Sequence, residues 1–210
     1  PDHQVYFLTN GGVSLIDDTA LLHTIPLPDL NPPYGQDLSD ISRASQTGLL
    51  YVIDQAASVI HVISNTTLIT TLAGLVDHPL QIVDDEDSGE MYVFYTTSTQ
   101  GKPQAHASII RGTKVITDML LPIFSNRTAQ YNAKDGHIYV AGDFMTNKAF
   151  PRENALIIID NHQVITTIHP LDQPDLAVGP IAINPINGDI YVLVGNKVVY
   201  WIASIHGKPS

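Results

Sequence analysis

The chain contains no cysteine. Disulfides, thiolate-held zinc, iron–sulfur clusters and thiol nucleophiles are therefore excluded, while the redox compartment stays open. Positive charge is scarce: 10 Lys and Arg face 21 Asp and Glu, for a formal net charge of −11. Such a surface repels phosphate backbones and anionic lipid, which argues against a nucleic-acid or membrane-surface partner. No stretch reaches the roughly 18 consecutive apolar residues of a membrane span, so no membrane insertion is expected. No leader pattern is visible. Pro1 stands where an initiator methionine would, so the natural start is expected upstream. No segment keeps a 3.6-residue apolar period with caps, so no helix is expected. P-loop, dinucleotide, HExxH and nucleophile-elbow patterns are all missing.

What the chain does have is repetition. Four segments share one pattern: Thr47-Gly48-Leu49-Leu50-Tyr51-Val52, Ser88-Gly89-Glu90-Met91-Tyr92-Val93, Asp135-Gly136-His137-Ile138-Tyr139-Val140 and Asn187-Gly188-Asp189-Ile190-Tyr191-Val192. A second pattern runs out of phase with it, starting at Leu21, Leu68, Val115 and Val164, with spacings of 47, 47 and 49 residues. A period of about 40 to 50 residues with short β-rich segments indicates a propeller or a related array. Hydrophobic content of 44% with 15% charged residues suits a packed β protein.

Each repeat parses into four strands, a to d, from the inside outward. Strand a ends in a turn whose glycine supplies a positive φ. Strand b carries the Tyr-Val pair, and strand c is short and apolar. Strand d holds the Ile-Thr-Thr type of sequence, whose β-branched residues suit a half-exposed sheet. The first repeat lacks strand a and the last lacks strand d, which gives eighteen strands. The expected fold is all-β: one propeller domain over residues 1–210, of about five four-stranded blades at residues 1–32, 33–79, 80–123, 124–175 and 176–210. The two thinned blades both hold b and c and cannot merge into one. Either the ring has five blades or the chain is a segment of a larger propeller, and the strand count favours the segment.

Asn184-Pro185-Ile186-Asn187-Gly188-Asp189-Ile190-Tyr191-Val192, preceded by Gly179-Pro180-Ile181-Ala182-Ile183, resembles the YVTN/NHL-type β-propeller repeat family. The other three copies have Ala44, Asp85 and Asn132 at the Asn184 position, and none is followed by proline. The resemblance implies a rigid scaffold. It also implies a choice among extracellular binding modules, cell-surface scaffolds, lectins and lactonase-like or lyase-like enzymes.

In such a scaffold the d–a connections and b–c loops share one face. Residues 96–107 and 142–154 read as long inserted loops on that face. They hold Gln104, His106, Phe144, Asn147, Lys148, Phe150 and Arg152, with Phe144, Phe150 and Arg152 as the anchors for a partner. His78 and His169 occupy comparable d–a connections, near Asp77 and Asp172. With His106 they form a candidate ligand set for a divalent metal, set against surface histidines that bond loop carbonyls. Asp84-Asp85-Glu86-Asp87 has the composition of a calcium site but reads as a solvated acidic turn. The lactonase-like alternative would need ligands at the starts of the inner strands. Asp37, Asp40, Gln81, Gln130 and Ala182 stand there, and alanine cannot ligate. Asn65 and Asn126 head glycosylation sequons.

The leading expectation is a non-enzymatic secreted or cell-surface module that binds a protein or glycan without a cofactor. A metal-dependent hydrolase or lyase using calcium or another divalent metal is the alternative. A third reading is an assembly subunit that self-associates through its end strands.

Overall fold

The computed structural model describes residues 4–17, 20–28, 36–74, 78–99, 102–123, 125–145, 152–168, 178–194 and 197–201. Among them are eighteen strands and no helix, so no helix is long and apolar enough to cross a membrane.

Five antiparallel sheets follow one another along the chain. Blade 1 has three strands: β1 (Gln4–Thr9), β2 (Gly12–Asp17) and β3 (Ala20–Pro26). Blade 2 is β4 (Leu38–Arg43), β5 (Leu50–Asp54), β6 (Val59–Ser64) and β7 (Thr67–Ala73). Blade 3 is β8 (Pro79–Asp85), β9 (Glu90–Thr99), β10 (Lys102–Arg111) and β11 (Lys114–Leu120). Blade 4 is β12 (Ser125–Asn132), β13 (His137–Met145), β14 (Arg152–Asp160) and β15 (Gln163–Ile168). Blade 5 has β16 (Val178–Ile183), β17 (Ile190–Val194) and β18 (Lys197–Trp201). Among the described residues the first sheet has no strand a and the last no strand d, as the repeat pattern predicts.

One expectation changes. The residues read as inserted loops are mostly strand. β9 and β10 stay paired from Ile110↔Met91 out to Lys102↔Thr99, and β13 and β14 from Ile138↔Ile159 to Met145↔Arg152. The b–c connections of blades 3 and 4 are long two-stranded ribbons. Threonines favour the extended backbone, and they kept residues 96–99 in β9.

Successive blades pack face to face, with β4 against β8, β8 against β12 and β12 against β16. Strand alternation sends the Tyr-Val pairs of blades 2, 3 and 4 each to two interfaces. Val52 meets blade 1 with Leu50 and Ile63, whereas Tyr51 meets blade 3 with Ile53 and Ile60. Tyr92 and Val93 divide in the same way between blades 4 and 2, and Tyr139 and Val140 between blades 5 and 3. The tyrosine also carries a polar tip across the interface. Tyr51 Oη donates to the Gly112 carbonyl in the c–d turn of blade 3, at 2.7 Å. Burial, with Asp84 nearby, pushes its phenol up to about 12.

The outer edge shows a second regularity. In every c–d ladder with a strand d, one residue of that strand is bulged out: Leu22, Ile69, Ile116 and Ile165. Each is about half exposed. A bulge twists an edge strand away from foreign pairing, which explains an aliphatic side chain tolerated in water at the rims of blades 1 to 4.

Candidate functional site

A polar constellation lies on blade 3, on the face toward blade 2. Its centre is Asp118 of β11, which receives three hydrogen bonds. Tyr95 Oη donates to Oδ1 at 2.7 Å and Ser108 Oγ donates to the same oxygen at 2.9 Å. His106 Nδ1 lies 3.0 Å from Oδ2. A carboxylate at Nδ1 holds the imidazole proton there. Nε2 is then left to accept from the Thr97 hydroxyl at 3.3 Å. The His106 ring stacks on Tyr95, with centroids 5.0 Å apart. The imidazole is 19% exposed and the Asp118 side chain 42%. The order carboxylate, imidazole, hydroxyl is that of a hydrolytic relay, but here the Ser108 and Tyr95 hydroxyls also end on the carboxylate. The arrangement fixes strands b, c and d to one another.

A second set of bonds holds the same ribbon to the d–a connection. Gln104 Nε2 donates to the Leu121 and Ile123 carbonyls at 2.7 and 3.2 Å. Ala105 N donates to the Ile123 carbonyl, and Leu121 N to the Ala105 carbonyl. The b–c ribbon and the d–a connection therefore lie together, as expected of one face. In blade 2 the same face is tied by Gln55 N donating to the Asp37 carbonyl, and by Asp54 Oδ1 accepting from Asp37 N and Ala57 N.

Register explains where these polar groups come from. Ser14↔Thr24, His61↔Thr71 and Ser108↔Asp118 occupy one position of the c–d ladder in blades 1, 2 and 3. Each pair is hydrogen-bonded, at 3.1, 2.9 and 2.9 Å. Blade 4 has Ile157↔Thr167 there, and Ile157 joins the apolar core. The spacings of 47 residues, 14 to 61 to 108 and 24 to 71 to 118, were present in the sequence. They pass unnoticed because the residue types differ.

Of the six expected site residues, His106 sits inside the blade 3 network. Its described partners are Tyr95, Thr97 and Asp118. His78 is exposed, with a φ of 47°. Phe144 lies opposite Glu153, and Arg152 opposite Met145, near the end of the β13–β14 ribbon. Phe150 and His169 lie outside the described residues, as does most of the loop tip that holds Asn147 and Lys148. No group of three metal-ligating side chains occurs among the described residues.

The inner-strand ring proposed for a central ion has other work. Asp40 Oδ2 accepts from Ile82 N and Oδ1 from Ile41 N, at 2.9 Å each. Gln81 reaches one blade further in the same way, accepting from Ala129 N at 2.6 Å and donating to the Ala129 carbonyl at 2.8 Å. These side chains stitch β4 to β8 and β8 to β12. Burial raises the Asp40 carboxyl, and the two amide bonds oppose that shift. The acidic run also closes on itself. Asp85 accepts from Asp87 N, Ser88 N and Ser88 Oγ, and Asp84 Oδ2 accepts from Ser45 N of blade 2.

Successive antiparallel sheets of three or four strands, repeating every 47 to 49 residues, define a β-propeller, and comparison with solved structures agrees. A hydrazine synthase from Kuenenia stuttgartiensis aligns with a TM-score of 0.70 at 17% identity, over 90% of this chain and 58% of its own. The WD40 propeller domain of Doa1 aligns at 0.66 and 13%, over 95% and 60%. A catalytically inactive virginiamycin B lyase from Staphylococcus aureus, solved with quinupristin, aligns at 0.68 and 14%, over 97% and 68%. At these identities the likeness is one of fold. The chain spans less than two thirds of the length of the first two. No protein-family model and no curated protein sequence matches it.

Proposed function

We propose that the chain is a binding module of the YVTN/NHL repeat type, secreted or displayed at the cell surface. It takes a protein or glycan partner on the face formed by the b–c ribbons and d–a connections. The observation that supports this most is the double bracing of the β9–β10 ribbon. Asp118 gathers Tyr95, His106 and Ser108 beneath it, and Gln104 pins its flank to Leu121 and Ile123. A ribbon ordered before contact loses little further entropy on binding, which favours affinity. Its outer part includes Ser98, exposed, whose hydroxyl can hydrogen-bond a polar partner. Phe144 and Arg152 on the neighbouring ribbon add the residue types that dominate interface energy.

The test is a shortened ribbon. Thr97 and Gln104 are directly opposite, so an Asn-Gly turn can replace residues 98–103 without disturbing the network below. Wild-type and shortened chains are screened on a glycan array and against a displayed peptide library. Ligands selected by the wild type and lost by the shortened chain, at unchanged thermal stability, support the proposal. Equal binding by both chains, or no ligand from either screen, overturns it.

A further inference from the structure

His61 and Asp54 are both fully buried, at the interface of blades 1 and 2. His61 Nδ1 is bonded to Thr71 Oγ1 at 2.9 Å. The other imidazole nitrogen, Nε2, has no hydrogen-bond partner, and neither does Asp54 Oδ2. The two orphaned atoms face each other at 4.0 Å, too far for a hydrogen bond. Buried polar atoms are nearly always satisfied, so two that stop short of one another need a reason.

Around them the site is apolar. Val13, Ile25, Leu27, Leu50, Val52 and Ile63 form the surrounding cluster. The titratable groups on the packed elements are few. Tyr6 of β1 packs against the cluster and His23 of β3 is exposed. Asp40 of β4 turns its carboxyl to blade 3, while Asp37, which precedes β4, and Arg43 at its end are exposed. Among the described residues, Asp54 is thus the carboxyl nearest to the imidazole.

Asp54 is also a structural hinge. Its other oxygen accepts from Asp37 N at 3.3 Å and Ala57 N at 3.2 Å, which joins the b–c turn of blade 2 to the start of the blade on the face described above. We propose that His61 and Asp54 form a proton-operated latch that couples mild acid to the order of this face. With the imidazole neutral, the 4.0 Å gap stays open and Asp54 holds both amides. A proton added to the ring creates a buried cation whose near partner is Asp54. Closing the gap then draws the carboxylate toward Nε2 and away from Asp37 N and Ala57 N. The corresponding ladder positions of blades 1 and 3 hold Ser14 and Ser108, which do not titrate in this range. The device is therefore particular to blade 2.

The experiment is amide hydrogen exchange read by NMR from pH 7.5 to 5, with the imidazole signals of His61 followed in the same samples. After correction for intrinsic rates, exchange at Asp37 and Ala57 is expected to rise about tenfold, in step with the His61 titration. Amides of β13, remote in blade 4, should not change. His61→Ser installs the residue of the neighbouring repeats and should abolish the rise. Asp54→Asn keeps an acceptor for the two amides and should also abolish it, which gives a second reading if the serine variant does not fold. The proposal falls if His61 fails to titrate in this window, or if exchange stays flat while it does. It falls equally if either variant shows the wild-type response.

Discussion

Blades 2 and 3 place a polar pair at the same rung of the same ladder and reach opposite outcomes. In blade 3 the pair is Ser108 and Asp118, and the carboxylate ends with three donors and a partly exposed edge. In blade 2 the pair is His61 and Thr71, and the nearby carboxyl of Asp54 leaves one oxygen unmatched in a fully closed site. The two sites use similar chemistry. The difference is where the acid sits. On edge strand d it can take donors from strands b and c and still touch water. On strand b it is enclosed by a neighbouring blade. Position within one repeat decides whether a carboxylate is fully satisfied or left with an orphaned oxygen.

The widest gap between the two sites should appear when each loses its outer-strand acceptor. Asp118→Ala strands Tyr95 Oη, Ser108 Oγ and His106 Nδ1 together. Bonds to a charged acceptor contribute about 1.5–3 kcal/mol each when buried, but this carboxylate is partly exposed and its donors can rehydrate, so a loss of about 3 kcal/mol is expected. Thr71→Ala removes a single neutral bond from His61 and should cost about 1–2 kcal/mol. Urea denaturation midpoints at constant m-value measure both. Equal losses would show that the three-donor centre has no special weight.

The next contrast is in pH. Burial lowers the His61 imidazole from its ordinary 6.5, and Asp54 opposes that shift. A depressed imidazole binds a proton more readily in the unfolded chain. Stability should therefore be full above about pH 6.5 and decline as pH falls below it, by at most about 1.4 kcal/mol per pH unit. His61→Ser should match the wild type within about 1 kcal/mol at pH 7.5 and be the more stable chain near pH 5. Thermal melts of both across this range decide it. Parallel curves would mean that His61 is not the group responsible.

A smaller effect tests the tyrosine spokes. Tyr51→Phe keeps the ring in the blade 2–3 interface but removes the bond to the Gly112 carbonyl, at a cost of about 1 kcal/mol. Tyr139 turns its hydroxyl to Asp135 of its own turn. Tyr139→Phe should therefore leave blade 5 unaffected, as hydrogen exchange in β17 can verify.

The same contrast shows what was legible in the sequence. The eighteen strands, their grouping and the turn glycines followed from a 47-residue period and from alternation, both of which are local signals. The ribbons of blades 3 and 4 look like loops in the sequence, because a run such as Thr96 to Thr99 lacks apolar alternation yet pairs well. Asp118 was passed over because its partners come from two other strands. Its meeting with Ser108 also depends on the bulge at Ile116, which shifts the register near that rung. Among the expected residues, His106 alone was found in a described network, and its real partners were not the histidines with which it was grouped.

Asp40 and Gln81 repeat the contrast of blades 2 and 3 on the inner strands, with the smallest expected effect. Both side chains accept from a backbone amide of the next blade, Asp40 from Ile82 and Gln81 from Ala129. One is an acid and the other an amide, so the acceptor rather than the charge is what the position requires. Burial raises the Asp40 carboxyl, which means that its charged form is the disfavoured one in the folded chain. Such a group favours folding more as pH falls through its raised folded value, the reverse of His61. Asp40→Asn retains an oxygen for Ile82 N and removes the charge. Near neutral pH it should be neutral or stabilising by up to about 1 kcal/mol. The gain should shrink on acidification, since the wild-type carboxyl is then neutral as well. A loss above about 2 kcal/mol at pH 7 would mean that the carboxylate does something at the inner strands that an amide cannot, and would reopen them as an ion site.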